Sequence, residues 1–486
     1  TLTTALAAGD HAEAAAVLEK LIARPELSET VRVGYLFELA TLKAEKLGDV
    51  AAAIRALAEI RSPEAKEEAV RRLVELGDRS GRWDIASQAL EAALDDAFPL
   101  ERSWELTIRR RLATLFDGPL ADREAAMRQR RRIVELDASD VDALAALLEV
   151  TEDPKEGTHV TRLLFAARPE DHALLSRLRD GFLALGDEDA AFTAAGVAVG
   201  VGAASEEVEY FYRQRRTRLS SGPAARALTA AELESFQAAE QAVPLGFLRA
   251  LEPLLPDVLP PDFGAYGIDP VSAPELDAGF LEVVESVASC FGIDPPRSLF
   301  VAAQRGPAIE HHGGKPLLLV PRPLLDAPRR EQRFVLGTMC YRVATKTAWG
   351  DPCRADPLTA KYLQYVMGAA AQVLDGLEGA SGSPIQDDIR RRLDVVMGNA
   401  ARDAAQAARA GLSLAEVDHE ALLRSTDRAA AQAGMLVSRD PAAAMTALGR
   451  WRRLIRDDDA AERAVTGFAI SEGHKALRTA LKLGLV

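Results

Sequence analysis

Few residues of this 486-residue chain have the types and spacing that chemistry needs. Two adjacent histidines, His311 and His312, stand before Gly313-Gly314, and two imidazoles are able to ligate a metal. Neighbours on a strand point to opposite faces, however, so the pair reads as a hairpin tip rather than a ligand set. Cys340 with either histidine would supply a thiol nucleophile and its base. It falls in the middle of a helical pattern with no glycine-rich turn to hold an oxyanion, so inert packing is the expectation. Two histidines spaced i, i+4 would place both imidazoles on one helical face, and no such pair exists anywhere in the sequence. Nor is there a phosphate-cradling P-loop or a Gly-x-Gly-x-x-Gly fingerprint. The residues require no metal and no cofactor.

Arginine is the other chemistry-bearing type. It recurs in runs: Arg109 to Arg111, Arg128 with Arg130 to Arg132, Arg213 with Arg215, Arg216 and Arg218, and Arg390 to Arg392. On a chain of net charge −14 such runs mostly form solvated helix faces and intramolecular ion pairs. If the earlier runs share one concave surface, Arg128, Arg131, Arg213 and Arg216 are the candidates for clamping a carboxylate-bearing peptide. The acidic balance argues against generic binding to nucleic acid or to anionic membranes. No segment reaches the ~18 uninterrupted apolar residues that span a bilayer. Ala190 to Ala204 comes nearest and reads as a buried helix ending in a glycine turn. Three cysteines are too few and too oddly counted for a disulfide framework, which fits a reducing, cytoplasmic setting. The chain begins at Thr1 inside a helical pattern, which reads as a fragment or a processed chain.

The elements that would position these residues are mainly helices. Alanine is prominent and aromatics make up only 5% of the chain, a composition that favours helices in close approach. Over residues 1–218 a turn signal recurs between two amphipathic stretches at intervals in the mid-thirties. Gly9-Asp10, Gly48-Asp49, Gly81-Arg82-Trp83-Asp84, Asp117-Gly118-Pro119-Leu120 and Gly186-Asp187 each precede an alanine-rich run. Glycine accepts the left-handed conformation that ends one helix, and aspartate caps the next. This pattern resembles tetratricopeptide repeats, most closely over Tyr35 to Ile60 and Ala173 to Ala198. The resemblance implies helix pairs stacked into a superhelix with a groove for a protein partner.

A small-residue break at Leu219 to Thr229 ends the repeats. A connector (219–245) with a helix at Ala230 to Ala242 leads into a second domain over 246–486, which opens with the proline-rich stretch Val243 to Pro274. There Leu276 to Phe291 has helical periodicity, Ser298 to Gln304 alternates like a strand, and Lys315 to Pro321 is a short buried run. A long helix follows over Glu331 to Trp349. A helix pair over Ser425 to Trp451 is interrupted by the turn Arg439-Asp440-Pro441. This ordered set resembles the gluzincin metallopeptidases over roughly Phe247 to Leu485. In that family the long helix carries His-Glu-x-x-His and the downstream helix a glutamate ligand four residues before an aspartate. Here the corresponding positions hold Thr338, Met339 and Arg342, then Leu423 and Asp427. Neither zinc ligand nor base is present, and only the aspartate is retained.

The expected fold class is therefore mainly α: a tetratricopeptide-like superhelix followed by a helical, zincin-like domain with a small β-hairpin or sheet. The expected function is a non-catalytic protein–protein interaction scaffold that binds a protein or peptide partner. A hydrolase with relocated chemistry at Cys340, or a regulatory sensor that binds peptide without cleaving it, are the alternatives. Packing at the lost site is expected to bring Met339 and Leu423 together as apolar filler and to pair Arg342 with Asp427.

Overall fold

Local chemistry sets most of the element boundaries. In the computed structural model, which describes residues 1–94, 101–274, 276–302, 306–377, 381–456 and 458–486, the chain is mainly helical with one small three-stranded sheet. Among the described residues no helix is long and apolar enough to cross a membrane. The chain divides into two compact units, Thr1–Ala167 and Arg168–Val486.

The first unit is a succession of helices, each packed on its neighbours in sequence, among them His11–Ile22, Glu29–Thr41, Val50–Ala58 and Pro63–Ser80. Trp83–Leu94, Arg102–Asp117, Arg123–Leu136, Val141–Val150 and Pro154–Ala167 continue it. Asp10, Asp49, Asp122 and Asp140 each cap a helix by accepting from the backbone N–H three residues on. Gly9 and Gly48 hold φ of 75° and 67°, which a side chain would resist. At Gly118-Pro119-Leu120 the turn is built differently: Gly118 has φ −98° and Ala121 takes the left-handed conformation at 51°. The helix Glu29–Thr41 runs on into a π-helical turn, Leu42–Lys46.

The second unit begins well before residue 219, because helices grouped by sequence with the repeats pack here. These are α1 (Ala173–Ala184), α2 (Glu188–Gly200) and α3 (Glu206–Arg216). Next come the short helix Ala230–Glu234 and the helix Ala242–Leu251. The single helix expected over Ala230 to Ala242 is broken between them, where buried Phe236 packs against Tyr341 and Phe468 at centroid distances of 5.5 and 5.4 Å. Helix α4 (Ala278–Cys290) leads to strands β1 (Arg297–Val301), β2 (Ala308–His312) and β3 (Lys315–Pro321). Then follow α5 (Arg329–Ala344), α6 (Ala360–Leu374), α7 (His419–Ser438), α8 (Pro441–Arg450), α9 (Asp458–Ile470) and α10 (Glu472–Leu481).

The sheet departs from the expected pair of strands. β1 and β3 lie parallel, with Leu299 opposite Leu319, and β2 joins the other side of β3 antiparallel. Gly313-Gly314 makes the β2–β3 turn, with φ of 59° and 73°. β2 lacks apolar alternation because its central residue is Glu310, buried beneath the Tyr266 hydroxyl (2.9 Å) and the Arg354 guanidinium (3.0 Å). Of the expected strand Ser298 to Gln304, β1 realises the part up to Val301, and Ala303 and Gln304 lie outside the described residues.

Part of the core of this unit is a large apolar cluster. Phe247, Leu248, Trp349, Leu363, Val366, Leu393 and Leu423 are among its members. α2 lies on α8 at close range: a methyl group at Gly200 would meet Met445 at 2.6 Å, and one at Gly196 would meet Pro441 at 3.2 Å.

Candidate functional site

The residues singled out on the long helix and on its downstream partner share one interior. α5 carries Thr338, Met339 and Arg342, α7 carries Leu423 and Asp427, and all five side chains are buried. The two helices cross at glycines. A methyl group on Gly337 would lie 2.9 Å from the Gly434 Cα, and one on Gly434 would lie 2.7 Å from the Phe334 carbonyl oxygen. Backbones this close leave the facing side chains no gap to fill with solvent.

Arg342 reaches across this contact. Its Nη2 donates to Asp427 Oδ1 at 2.7 Å, with the two residues 2% and 0% exposed. A second guanidinium meets the same carboxylate from the far side. Arg456 Nη1 lies 2.8 and 2.9 Å from the two oxygens, and the Arg456 backbone N–H donates to Oδ2 at 3.0 Å. Arg456 Nη2 also donates to the carbonyls of Gly350 (2.9 Å) and Leu358 (3.3 Å). One carboxylate thus joins α5, α7, the loop after α5 and the segment after α8. Both of its oxygens are taken up by two guanidiniums and a backbone N–H, and the fully buried carboxylate presents no open face to a substrate.

The surroundings are equally committed. Thr338 Oγ1 donates to the Val335 carbonyl at 2.7 Å, and Leu423 belongs to the Trp349 cluster. Buried Asp351 accepts from the backbone N–H of Ile309 (2.7 Å) and of Cys353 (3.0 Å), and burial pushes its carboxyl up. Cys353 Sγ donates to the Arg453 carbonyl at 3.2 Å, and burial raises this thiol well above its usual range. Cys340 is 0% exposed, and burial drives its thiol up as well, which is the opposite of what a nucleophile needs. His311 and His312 do not converge: His311 Nε2 faces Glu252 at 3.4 Å, while His312 stands edge-on to Phe263. Among the described residues no group of three or more His, Cys, Asp or Glu side chains is placed to hold a metal ion.

The four arginines chosen as partner-binding candidates have separate environments. In the first unit, Arg128 pairs with Glu124 (3.3 Å) and Arg131 with Glu156 (2.9 Å). In the second, Arg213 pairs with Glu209 on its own helix, and Arg216 donates to Asp440 at 2.7 Å. Asp440 is fully buried and also accepts from the Tyr212 hydroxyl (2.6 Å) and from Arg330 (3.1 Å). Burial alone would raise its carboxyl, but the tyrosine hydroxyl and the two guanidiniums outweigh it and hold the carboxyl below the usual range. Arg216 is thereby tied to a buried carboxylate while its side chain stays partly exposed, and Arg128, Arg131 and Arg213 keep exposed heads.

Sequence reasoning missed two features of this unit. Arg456 completes the buried triad from a loop, where no periodicity marks it. A cleft of about 900 Å³ is lined by Arg322, Asp326, Arg450, Trp451, Arg452 and Arg453 among others. Its signal in the sequence was the short run Arg450-Trp451-Arg452-Arg453, one basic cluster that carries an aromatic residue within it. No protein-family model matches the chain, and no curated protein is significantly similar to it.

Proposed function

We propose that the chain is a non-catalytic interaction scaffold. Its N-terminal helices resemble tetratricopeptide repeats and would engage a protein or peptide partner, with Arg128 and Arg131 as exposed candidates there and Arg213 as a further exposed candidate in the second unit. Its later part, resembling a gluzincin peptidase without ligands, would serve as a docking or structural module. The observation that carries this reading is the Arg342–Asp427–Arg456 centre, a buried carboxylate closed by two guanidiniums where a peptidase would need an open, metal-binding face. The burial of Cys340 speaks against thiol chemistry in the same region.

The test is metal uptake with turnover. The purified chain, incubated with excess zinc and desalted, is expected to retain well below one zinc per chain and to leave a broad peptide and ester library intact. One zinc per chain accompanied by cleavage that a chelator stops would overturn the reading.

A further inference from the structure

The cleft beside α8 has a chemistry that neither the scaffold reading nor the buried triad uses. Four of its lining residues are arginines, Arg322, Arg450, Arg452 and Arg453, against one acid, Asp326. This concentration of positive charge occurs in a chain where Asp and Glu outnumber Lys and Arg by 73 to 59. Two of the arginines are neutralised at home: Arg322 pairs with Asp326 (2.9 Å) and Arg450 with Glu331 (2.8 Å). Among the described residues neither Arg452 nor Arg453 has an ion-pair partner, and both are exposed.

Hydrogen bonds tie the walls to the fold. Trp451 N–H donates to the Ala447 carbonyl and Leu454 N–H to the Trp451 carbonyl, each at 2.9 Å, and Leu454 and Ile455 are buried beneath the turn. Cys353 Sγ holds the Arg453 carbonyl from below at 3.2 Å. On the opposite wall Gln332 Nε2 donates to the carbonyls of Leu324 (3.1 Å) and Leu325 (2.9 Å), fixing the short helix Arg322–Leu325.

We propose that this cleft binds a small organic anion that carries two or more phosphate or carboxylate groups. The volume of about 900 Å³ is too large for a lone inorganic ion and falls within the range of small-molecule sites. Two free guanidinium forks on adjacent residues match oxyanions in bidentate geometry, where lysine would offer only point charges. The Trp451 ring and Pro323 supply an apolar surface for the organic part.

The experiment is calorimetric titration of the full chain, at fixed ionic strength, with a nucleoside diphosphate, inorganic pyrophosphate and citrate. The expected result is that at least one probe binds with Kd below about 1 mM. Arg452→Gln combined with Arg453→Gln is expected to weaken it about tenfold or more, through loss of two charge-assisted contacts. Binding of the two phosphate probes alone assigns phosphate, and binding of citrate alone assigns carboxylate. Arg452→Glu with Arg453→Glu repeats the loss with reversed charge, and circular dichroism of each variant establishes that it is folded. No binding of any probe below about 1 mM, or a loss smaller than about tenfold in the folded variants, overturns the proposal.

Discussion

Asp427 balances two guanidiniums in the interior, Arg342 and Arg456. It is fully buried, and Arg342, at 3% side-chain exposure, forms no other ion pair among the described residues, although its charge also acts on buried Asp351. Removing the carboxylate would leave one guanidinium deep in the protein and a second partly buried, uncompensated by any acid in contact. Breaking a buried ion pair in this way costs about 3–5 kcal/mol. Asp427→Ala is therefore expected to lower stability by about that amount in urea unfolding, with a smaller loss for Asp427→Asn, which keeps one acceptor oxygen. A loss below about 1 kcal/mol for the alanine variant would mean that solvent, not Asp427, balances these charges. The pair itself was legible, because an arginine and an aspartate at core-facing positions of two helices have few other places to go. Arg456 was not, since a loop residue 29 positions beyond Asp427 carries no periodic mark of its destination.

At the scale of elements, the α5–α7 crossing governs where that charge can sit. A methyl group at Gly434 would overlap both the Phe334 carbonyl oxygen (2.7 Å) and the Thr338 methyl (2.8 Å), and backbone cannot yield cheaply. Gly434→Ala is expected to destabilise by about 1–3 kcal/mol through overpacking, even though alanine is the better helix former. Equal or greater stability of this variant in thermal unfolding would refute the close crossing. Helices of this kind were legible in two ways: α4 lies where helical periodicity put it, while α7 and α8 lie where the resemblance put a helix pair, with α7 starting earlier, at His419, and Asp440 capping α8 at the expected turn. β2 was not readable, because a buried glutamate interrupts its apolar face and only Tyr266 and Arg354, distant in sequence, make that burial tolerable. The parallel pairing of β1 with β3 was hidden for a similar reason: alternation reveals a strand but not the direction of its neighbour.

At the scale of the whole molecule, the assignment of α1–α3 is the main departure from what turn signals indicate. Local repeat chemistry places them with the first unit, but packing gives them to the second. Asp189 on α2 accepts from Arg478 on α10 (2.8 Å), and Tyr212 and Arg216 on α3 converge on Asp440. A fragment of residues 168–486 is expected to unfold cooperatively. A fragment of 219–486 is expected to lose that cooperativity and to bind a hydrophobic dye, because α8 would be stripped of its α2 cover. Equal thermal midpoints for the two fragments would show that α1–α3 are dispensable to this unit. The same closure has a consequence for how the protein is made. Leu485 N–H donates to Asp189 at 3.0 Å across 296 residues, and Val486 N–H to the Arg218 carbonyl at 2.9 Å. At about 5–20 residues per second, a ribosome needs about 15–60 s to travel from the first partner to the last. Until α8 has been made, the face of α2 that carries Gly196 and Gly200 lacks its cover. The second unit is thus expected to finish folding only after α10 leaves the exit tunnel, exposing apolar surface until then.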